Sequence, residues 1–355
     1  MKNWNWNKIG AAILCAFVLA ISLGYFLPNR TFSPLEKRYL NQMPRLTAAK
    51  LLDGSWGEEI EDYLADQMLG RDLFVGLNAY FEKLLGLQKS KTIWTLDGKL
   101  VRRPVSLKDG AMEKNMGAVN RFADTVEVPV SLALIPSCGF SLGAPEYEDD
   151  RLIGELYGMA AMETVDLREV FRGRPDLFYS TDHHWTSAGA FEAYKRLMES
   201  WGEQPQEEYT VERFSHFRGA NYAASGLWLT PEETLEMWSG PRAVTVRQEK
   251  TAHDGVFYRE RLEDYDPYMV FLDGNQPLVR LYNPQGTGKL LLIRDSFASC
   301  LAGFLCQNYE EVILVDLRYY KQPISQLVQQ SGVDRVLVLY SLENFLTDSN
   351  LVLLK

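Results

Sequence analysis

The chain has 355 residues, of which 46% are apolar and 24% charged, a globular composition that excludes disorder as the main state. Its 37 Lys and Arg stand against 47 Asp and Glu, and the net charge of −10 is the wrong sign for a nucleic-acid binder. Four cysteines, Cys15, Cys138, Cys300 and Cys306, are too few for a disulfide scaffold and form no Cys-x-x-Cys pair.

Residues Ile9 to Leu27 are a run of 19 uncharged residues. As a helix at ~1.5 Å per residue it spans about 28 Å, close to the hydrocarbon core of a bilayer. Lys2 and Lys8 precede it and Pro28 ends it. No Ala-x-Ala site follows, and no lipobox precedes Cys15. The run therefore reads as an uncleaved membrane anchor, with a cleaved signal peptide as the alternative. Flanking positive charge is nearly balanced: Lys2, Lys8 and the α-amine on one side, Arg30, Lys37 and Arg38 on the other. A long segment behind a signal-like run places residues 31–355 outside the cytoplasm, in a single-pass protein of the cell membrane.

Residues 31–52 read as an extended connector. Ile60, Leu64 and Met68, then Leu73, Leu77, Tyr80 and Leu84, recur at three- and four-residue steps and predict two helices broken at Gly70. Residues 92–102 predict a hairpin around Asp97-Gly98. A helix is expected over 112–126, a buried strand over 128–136, a helix over 150–161, a short strand over 163–167 and an amphipathic helix over 187–201. Residues 205–270 are rich in aromatics, Gly and charge and read as a long insertion, partly β. Strand and helix then alternate: strand 288–296, helix 297–307, strand 311–317, helix 322–332, strand 334–341. The resulting division is an anchor over 1–30, a helical segment over 31–110 and an α/β domain over 111–355. Repeated strand–helix units imply a parallel sheet with helices on both faces, and ligands in such sheets bind beyond the strands' carboxyl ends.

Two segments at such ends carry reactive side chains: Thr181-Asp182-His183-His184-Trp185-Thr186 and Arg294-Asp295-Ser296-Phe297. A serine hydroxyl is a weak nucleophile until a base takes its proton. A histidine is that base, and a carboxylate fixes its tautomer. An Asp two residues before a His reaches its Nδ1 across a tight turn, so Asp182 and His184 pair and His183 is expected to point the other way. Ser296 at a strand-to-helix turn puts backbone N–H groups near a developing oxyanion. The plainer readings are a capped helix start for Asp-His-His and a helix N-cap for Ser296. Asp182, His183 and His184 are also metal-ligand types, but adjacent histidines rarely converge on one ion, and no metal is expected.

The TDHHWT segment resembles the signature of the DHHW family of bacterial surface proteins, and is similar to the Asp-x-His-Trp segment of the alginate O-acetylation proteins AlgJ and AlgX. DQMLGR (66–71), FLDGN (271–275), RDSF (294–297) and DLRYY (316–320) follow the same pattern. The resemblance implies an SGNH-hydrolase-like α/β three-layer sandwich with a mostly parallel sheet and rearranged strand order. It implies Asp182, His184 and Ser296 as a triad, no cofactor, and extracytoplasmic O-acetylation of a cell-surface polysaccharide beside a membrane-bound O-acyltransferase. SGNH enzymes add a Gly and an Asn to the oxyanion hole. Asn344 is the expected Asn, with a loop or cap role as its alternative, and DLRYY carries no Gly. Arg318 either binds an acidic sugar or pairs with Asp316. Asp295 is expected to point away from the nucleophile. Trp228, Trp238, Tyr222 and Tyr258 offer faces for sugar stacking or for core packing. The rival functions are an acetyl esterase and a non-catalytic glycan-binding scaffold.

Overall fold

The computed structural model describes residues 6–27, 29–87, 89, 92–108, 110–248 and 251–354; Lys2 and Pro28 lie outside them. The chain forms two compact units, one of Met1–Gln88 with Tyr222–Thr230, the other of Lys89–Asn221 with Pro231–Lys355. The division falls at residue 88 rather than at 110. The hairpin Ile93–Leu96/Lys99–Arg102 belongs with the second unit, where the Leu100 N–H donates to the Ser180 carbonyl at 2.8 Å.

In the first unit the apolar run is the helix Trp6–Gly24, long and apolar enough to cross a membrane. The connector holds more structure than its sequence suggests: a two-residue strand pair (Phe32–Ser33 with Arg38–Tyr39) and the helix Ala48–Leu52, capped by Thr47. The helices Ser55–Gln67 and Arg71–Leu84 follow, and Gly70 between them has φ 74°, a left-handed value that glycine adopts without steric cost.

The second unit is built on an eight-stranded sheet. In chain order its strands are β1 (Val130–Ile135), β2 (Glu163–Asp166), β3 (Thr245–Gln248), β4 (Thr251–Asp254), β5 (Leu278–Tyr282), β6 (Lys289–Arg294), β7 (Glu311–Val315) and β8 (Arg335–Ser341). They lie in the order β4-β3-β5-β7-β6-β8-β1-β2. The five from β7 to β2 are parallel, and β5, β3 and β4 extend that sheet as antiparallel strands. Side chains alternate between two cores. Leu290 and Leu292 join one with the helices Ser187–Ser200 and Ala298–Leu305; Leu291 and Ile293 join the other with Ala111–Thr125 and Ile324–Ser331. All four are fully buried, each stabilising the fold by ~1.5–3 kcal/mol. This is why β6 reads as an unbroken apolar run.

The 205–270 region is partly an insertion and partly sheet. Thr210–Phe217 pairs with Glu233–Ser239 as a separate antiparallel ribbon, while β3 and β4 complete the main sheet's edge. From β6 the chain goes to β7 on one side, then returns across β6 to β8 on the other. The carboxyl end of β6 is thus a topological switch point, where open α/β sheets leave a crevice.

Candidate active site

The turn over 178–186 is closed by its own backbone: the Tyr179 N–H donates to the His184 carbonyl at 3.2 Å, and the Thr186 N–H to the Leu177 carbonyl at 2.8 Å. Thr186 then caps the helix Ser187–Ser200 through the Gly189 N–H. Within the turn, Asp182 Oδ1 accepts from the His184 N–H at 2.9 Å and lies 2.6 Å from His184 Nδ1. Oδ2 accepts from the Ala220 N–H at 2.7 Å. A Cβ at Gly219 would stand 2.1 Å from Asp182 Cβ, so only glycine fits there. Burial by itself pushes the Asp182 carboxyl up. The neighbouring histidines and the hydrogen bonds it accepts outweigh burial and hold it well below the usual carboxylate range. An ionised Asp182 keeps the proton on His184 Nδ1, which leaves Nε2 as the basic nitrogen.

That nitrogen lies 2.7 Å from Ser296 Oγ, so Asp182, His184 and Ser296 form one continuous chain. The Trp185 indole, fully buried, donates to the Phe297 carbonyl at 3.1 Å and ties the two turns together. The His184 ring is packed on several sides. Tyr268 stacks on it at 3.9 Å with planes 6° apart, and Phe297 and His183 lie 4.8 and 3.9 Å away. Contrary to the sequence expectation, His183 does not point away: Asp182 draws both imidazoles to one carboxylate. Its Nδ1 sits 3.5 Å from Asp182 Oδ1 without a hydrogen-bond partner among the described residues. Burial, then the nearby His184, pushes its pKa well below the ordinary value. Asp182, His183 and His184 lie close enough to share an ion. However, the Nδ1–Oδ1 axis of the Asp182/His184 pair is already closed by a hydrogen bond, and Nε2 faces Ser296. The donor set therefore fits proton transfer better than metal ligation.

Ser296 follows β6. Asp295 beside it accepts from the Phe297 N–H at 3.1 Å through Oδ1, while Oδ2 accepts from the Ser341 N–H, the Ser341 hydroxyl and Asn344 Nδ2, each at 2.8 Å. Asn344 is thereby drawn to Asp295 and is not among the residues lining the cleft that holds Ser296, so its placement differs from the one expected of an oxyanion donor. The Phe297 N–H is likewise committed to Asp295. Arg318 forms a forked pair with Asp316 (2.9 and 2.6 Å) and also lines the cleft, so pairing and access to ligand coexist.

The cleft is open to solvent, with His184, Ser296, Tyr268, Asn275, Arg102, Arg318, Asp266 and Asp273 on its walls. A second, narrower pocket adjoins it through His183 and Arg102, and its other walls include Ile135, Cys138, Phe178 and Phe297. Two residues given no role from sequence stand out. Arg294 is fully buried, and its Nη1 donates to Asn275 Oδ1 at 2.8 Å, with Asp316 3.7 Å away. Burial lowers its pKa against the pull of Asp316. Asn275 follows three consecutive residues of positive φ, Leu272 (60°), Asp273 (58°) and Gly274 (76°). Leu272 in that region is strained, and strain of this kind collects at functional walls. The FLDGN pattern was the only sequence signal for this loop. Of the two roles open to the aromatic residues, three of them take the packing one. Trp238 lies among Phe191, Tyr209 and Phe304, Tyr258 stacks on His253, and the Trp228 indole donates to the Asp72 carbonyl.

A sequence profile of the SGNH hydrolase-like domain of the acetyltransferase AlgX matches residues 151–275, a stretch that includes Asp182 and His184 but not Ser296. No curated protein matches the chain. Among solved structures, a DHHW family protein from Eubacterium siraeum is similar at TM-score 0.65 and 19% identity, covering 74% of this chain and 93% of that one. PatB1 of Bacillus cereus, solved with a sulfonyl adduct, is similar at TM-score 0.63 and 21% identity, covering 74% and 98%. The fold is that of an SGNH-like α/β domain with a mostly parallel sheet, as the sequence resemblance implied.

Proposed function

We propose that the protein is an extracytoplasmic O-acetyltransferase that moves an acetyl group through Ser296 onto a hydroxyl of a cell-surface polysaccharide. The observation that carries this reading is the unbroken Asp182–His184–Ser296 chain beside an open, polar cleft. The sequence match to an acetyltransferase's SGNH-like domain supports the choice of acyl group.

In the first half-reaction His184 Nε2 takes the Ser296 proton while Oγ attacks the acetyl carbonyl. The carbonyl π electrons move onto oxygen, and the tetrahedral oxyanion needs fixed donors. The Ser296 N–H is one. Asn275 is the second: Arg294 holds its Oδ1, which leaves Nδ2 as the donating end of that amide. Collapse breaks the bond to the donor's leaving group, which takes the proton from His184, and acetyl-Ser296 remains. In the second half-reaction His184 takes a proton from a sugar hydroxyl. That oxygen attacks the acetyl-serine, and Ser296 regains its proton as the product leaves. Asp182 stabilises the imidazolium in both halves. A membrane-bound O-acyltransferase supplies the acetyl group, and the helix Trp6–Gly24 keeps the protein at the membrane.

The test uses the full chain with a chromogenic acetyl ester and recorded intact mass, comparing wild type with Ser296→Ala. Turnover and an acetyl adduct, both absent from the variant, are expected. Acetate release that added glycan neither accelerates nor diverts into acetylated sugar would favour an esterase. Absence of adduct together with glycan binding unaffected by Ser296→Ala would favour a scaffold.

A further inference from the structure

The helix Arg71–Leu84 has two apolar faces. One is covered within its own unit: a Cβ at Gly76 would meet the Trp228 indole at 2.8 Å, and Ala79 is buried. The other carries Leu73, Leu77, Phe81 and Leu84 at helical steps, and these are 62, 56, 59 and 82% exposed. Single exposed leucines are ordinary on a protein surface, whereas a stripe of four along one helix marks an interaction face. The helix Trp6–Gly24 lies against this part of the same unit. The Phe17 ring meets Phe74 edge-on at 6.0 Å, and the Tyr25 hydroxyl donates to the Leu64 carbonyl at 2.9 Å. Its own Ile13, Leu14, Val18, Leu19 and Leu23 are exposed, so the stripe continues an apolar surface that already begins on the spanning candidate.

We infer that the helix Arg71–Leu84 is a membrane-interface element, with the Leu73/Leu77/Phe81/Leu84 stripe seated at the acyl-chain boundary and Lys83 in the headgroup layer. The occupant of the stripe is lipid, because the surface it continues is the one proposed to enter the bilayer, and an amphipathic helix beside a spanning one has its apolar face at that depth. This inference rests on the proposed membrane anchoring of Trp6–Gly24.

Nitroxide labels on the full chain in vesicles of phosphatidylcholine and phosphatidylglycerol test it. The background is Cys15→Ser, which removes the exposed thiol. Cys138, Cys300 and Cys306 are buried with thiols pushed up to about 12, so they stay unlabelled. Labels go on Leu77→Cys, Leu84→Cys and Lys83→Cys, and on Leu14→Cys to read the anchor separately. The ratio of oxygen to nickel-chelate collisions is expected to be several-fold higher at 77 and 84 than at 83. An oxygen-rich label at 14 with nickel-rich labels at 77 and 84 would overturn the inference and leave the anchor standing. Nickel-rich labels at all four positions would overturn both. Labels at 77 and 84 that are immobilised and shielded from both relaxants would mean that protein covers the stripe, which also overturns lipid as its occupant.

Discussion

Asp182 and Asp295 begin from the same local device and end in different roles. Each is buried, and each accepts the backbone N–H two residues ahead, from His184 at 2.9 Å and Phe297 at 3.1 Å, the turn that short acidic side chains favour. The difference lies in their remaining contacts. Asp182 adds the His184 Nδ1 to the oxygen already holding the turn, so its charge is coupled to any charge appearing on the imidazole. Asp295 turns Oδ2 toward Ser341 and Asn344 and joins the carboxyl ends of β6 and β8. One carboxylate completes the hydrogen-bonded chain to Ser296 and the other braces the sheet, although Asp295 is the nearer to Ser296 in sequence.

The comparison breaks most sharply under amide substitution. Asp182→Asn keeps the shape and removes the charge, and kcat for acetyl-ester turnover is expected to fall by roughly 10³–10⁴-fold with folding retained. A loss under tenfold would remove Asp182 from the proton path. Asn275→Ala tests the wall opposite. Loss of one oxyanion donor costs about 10²–10³-fold in kcat. Sulfonylation of Ser296 by an alkylsulfonyl fluoride should slow in parallel while KM changes little. A variant that loses KM alone would show that Asn275 only shapes the cleft.

Asp295→Asn should invert the first result. In either orientation the new NH₂ group meets a backbone N–H, that of Phe297 or of Ser341, so urea unfolding is expected to show a loss of about 1–3 kcal/mol, with kcat of the folded protein within a few-fold of wild type. A large drop in kcat without loss of stability would give the two carboxylates the same role.

His183 sharpens the picture through pH. Its folded pKa lies below the unfolded value near 6.5, so below that pH the unfolded chain holds a proton that the folded chain refuses. Stability should therefore fall as pH falls from about 6.5 toward the folded value, with a slope approaching ~1.4 kcal/mol per pH unit from this group. His183→Gln should flatten that slope. An unchanged slope would mean that another group sets the acid limit.

Much of this architecture is visible in the residue pattern because its causes are local. The continuous apolar runs of β6, β7 and β8 report burial on both faces, and Asp182 reaches His184 within one turn. Ser296 is legible from its place between a buried strand and a helix. What was illegible depends on partners distant in sequence. Asn344 reads as an oxyanion donor or a cap until β8 is set beside β6 and Asp295 draws its amide. Arg294 reads as the polar end of a strand, yet it is fully buried because Asn275 and Asp316 meet it there. The strands β3 and β4 hide within an aromatic-rich stretch because the pairing of β3 with β5, and of β4 with β3, has no local periodicity. Trp238 and Tyr258 stay open between sugar stacking and core packing on sequence alone, because composition records an aromatic ring but not which way it faces.

The strand order also constrains how the chain reaches this state. Val130 pairs with Val336, and β8 lies between β6 and β1. The centre of the sheet therefore cannot close until nearly the whole unit has been made. Parallel pairings of such long sequence separation form slowly and leave apolar strand edges waiting. Asp182 and His184 are synthesised long before Ser296, and the turn that carries Ser296 gains its anchor at Ser341 only when β8 docks. Nascent chains should thus stay protease-sensitive and inert until β8 is available, then gain protection and esterase turnover together. A truncation before Arg335 would remove the middle of the sheet rather than trim its edge.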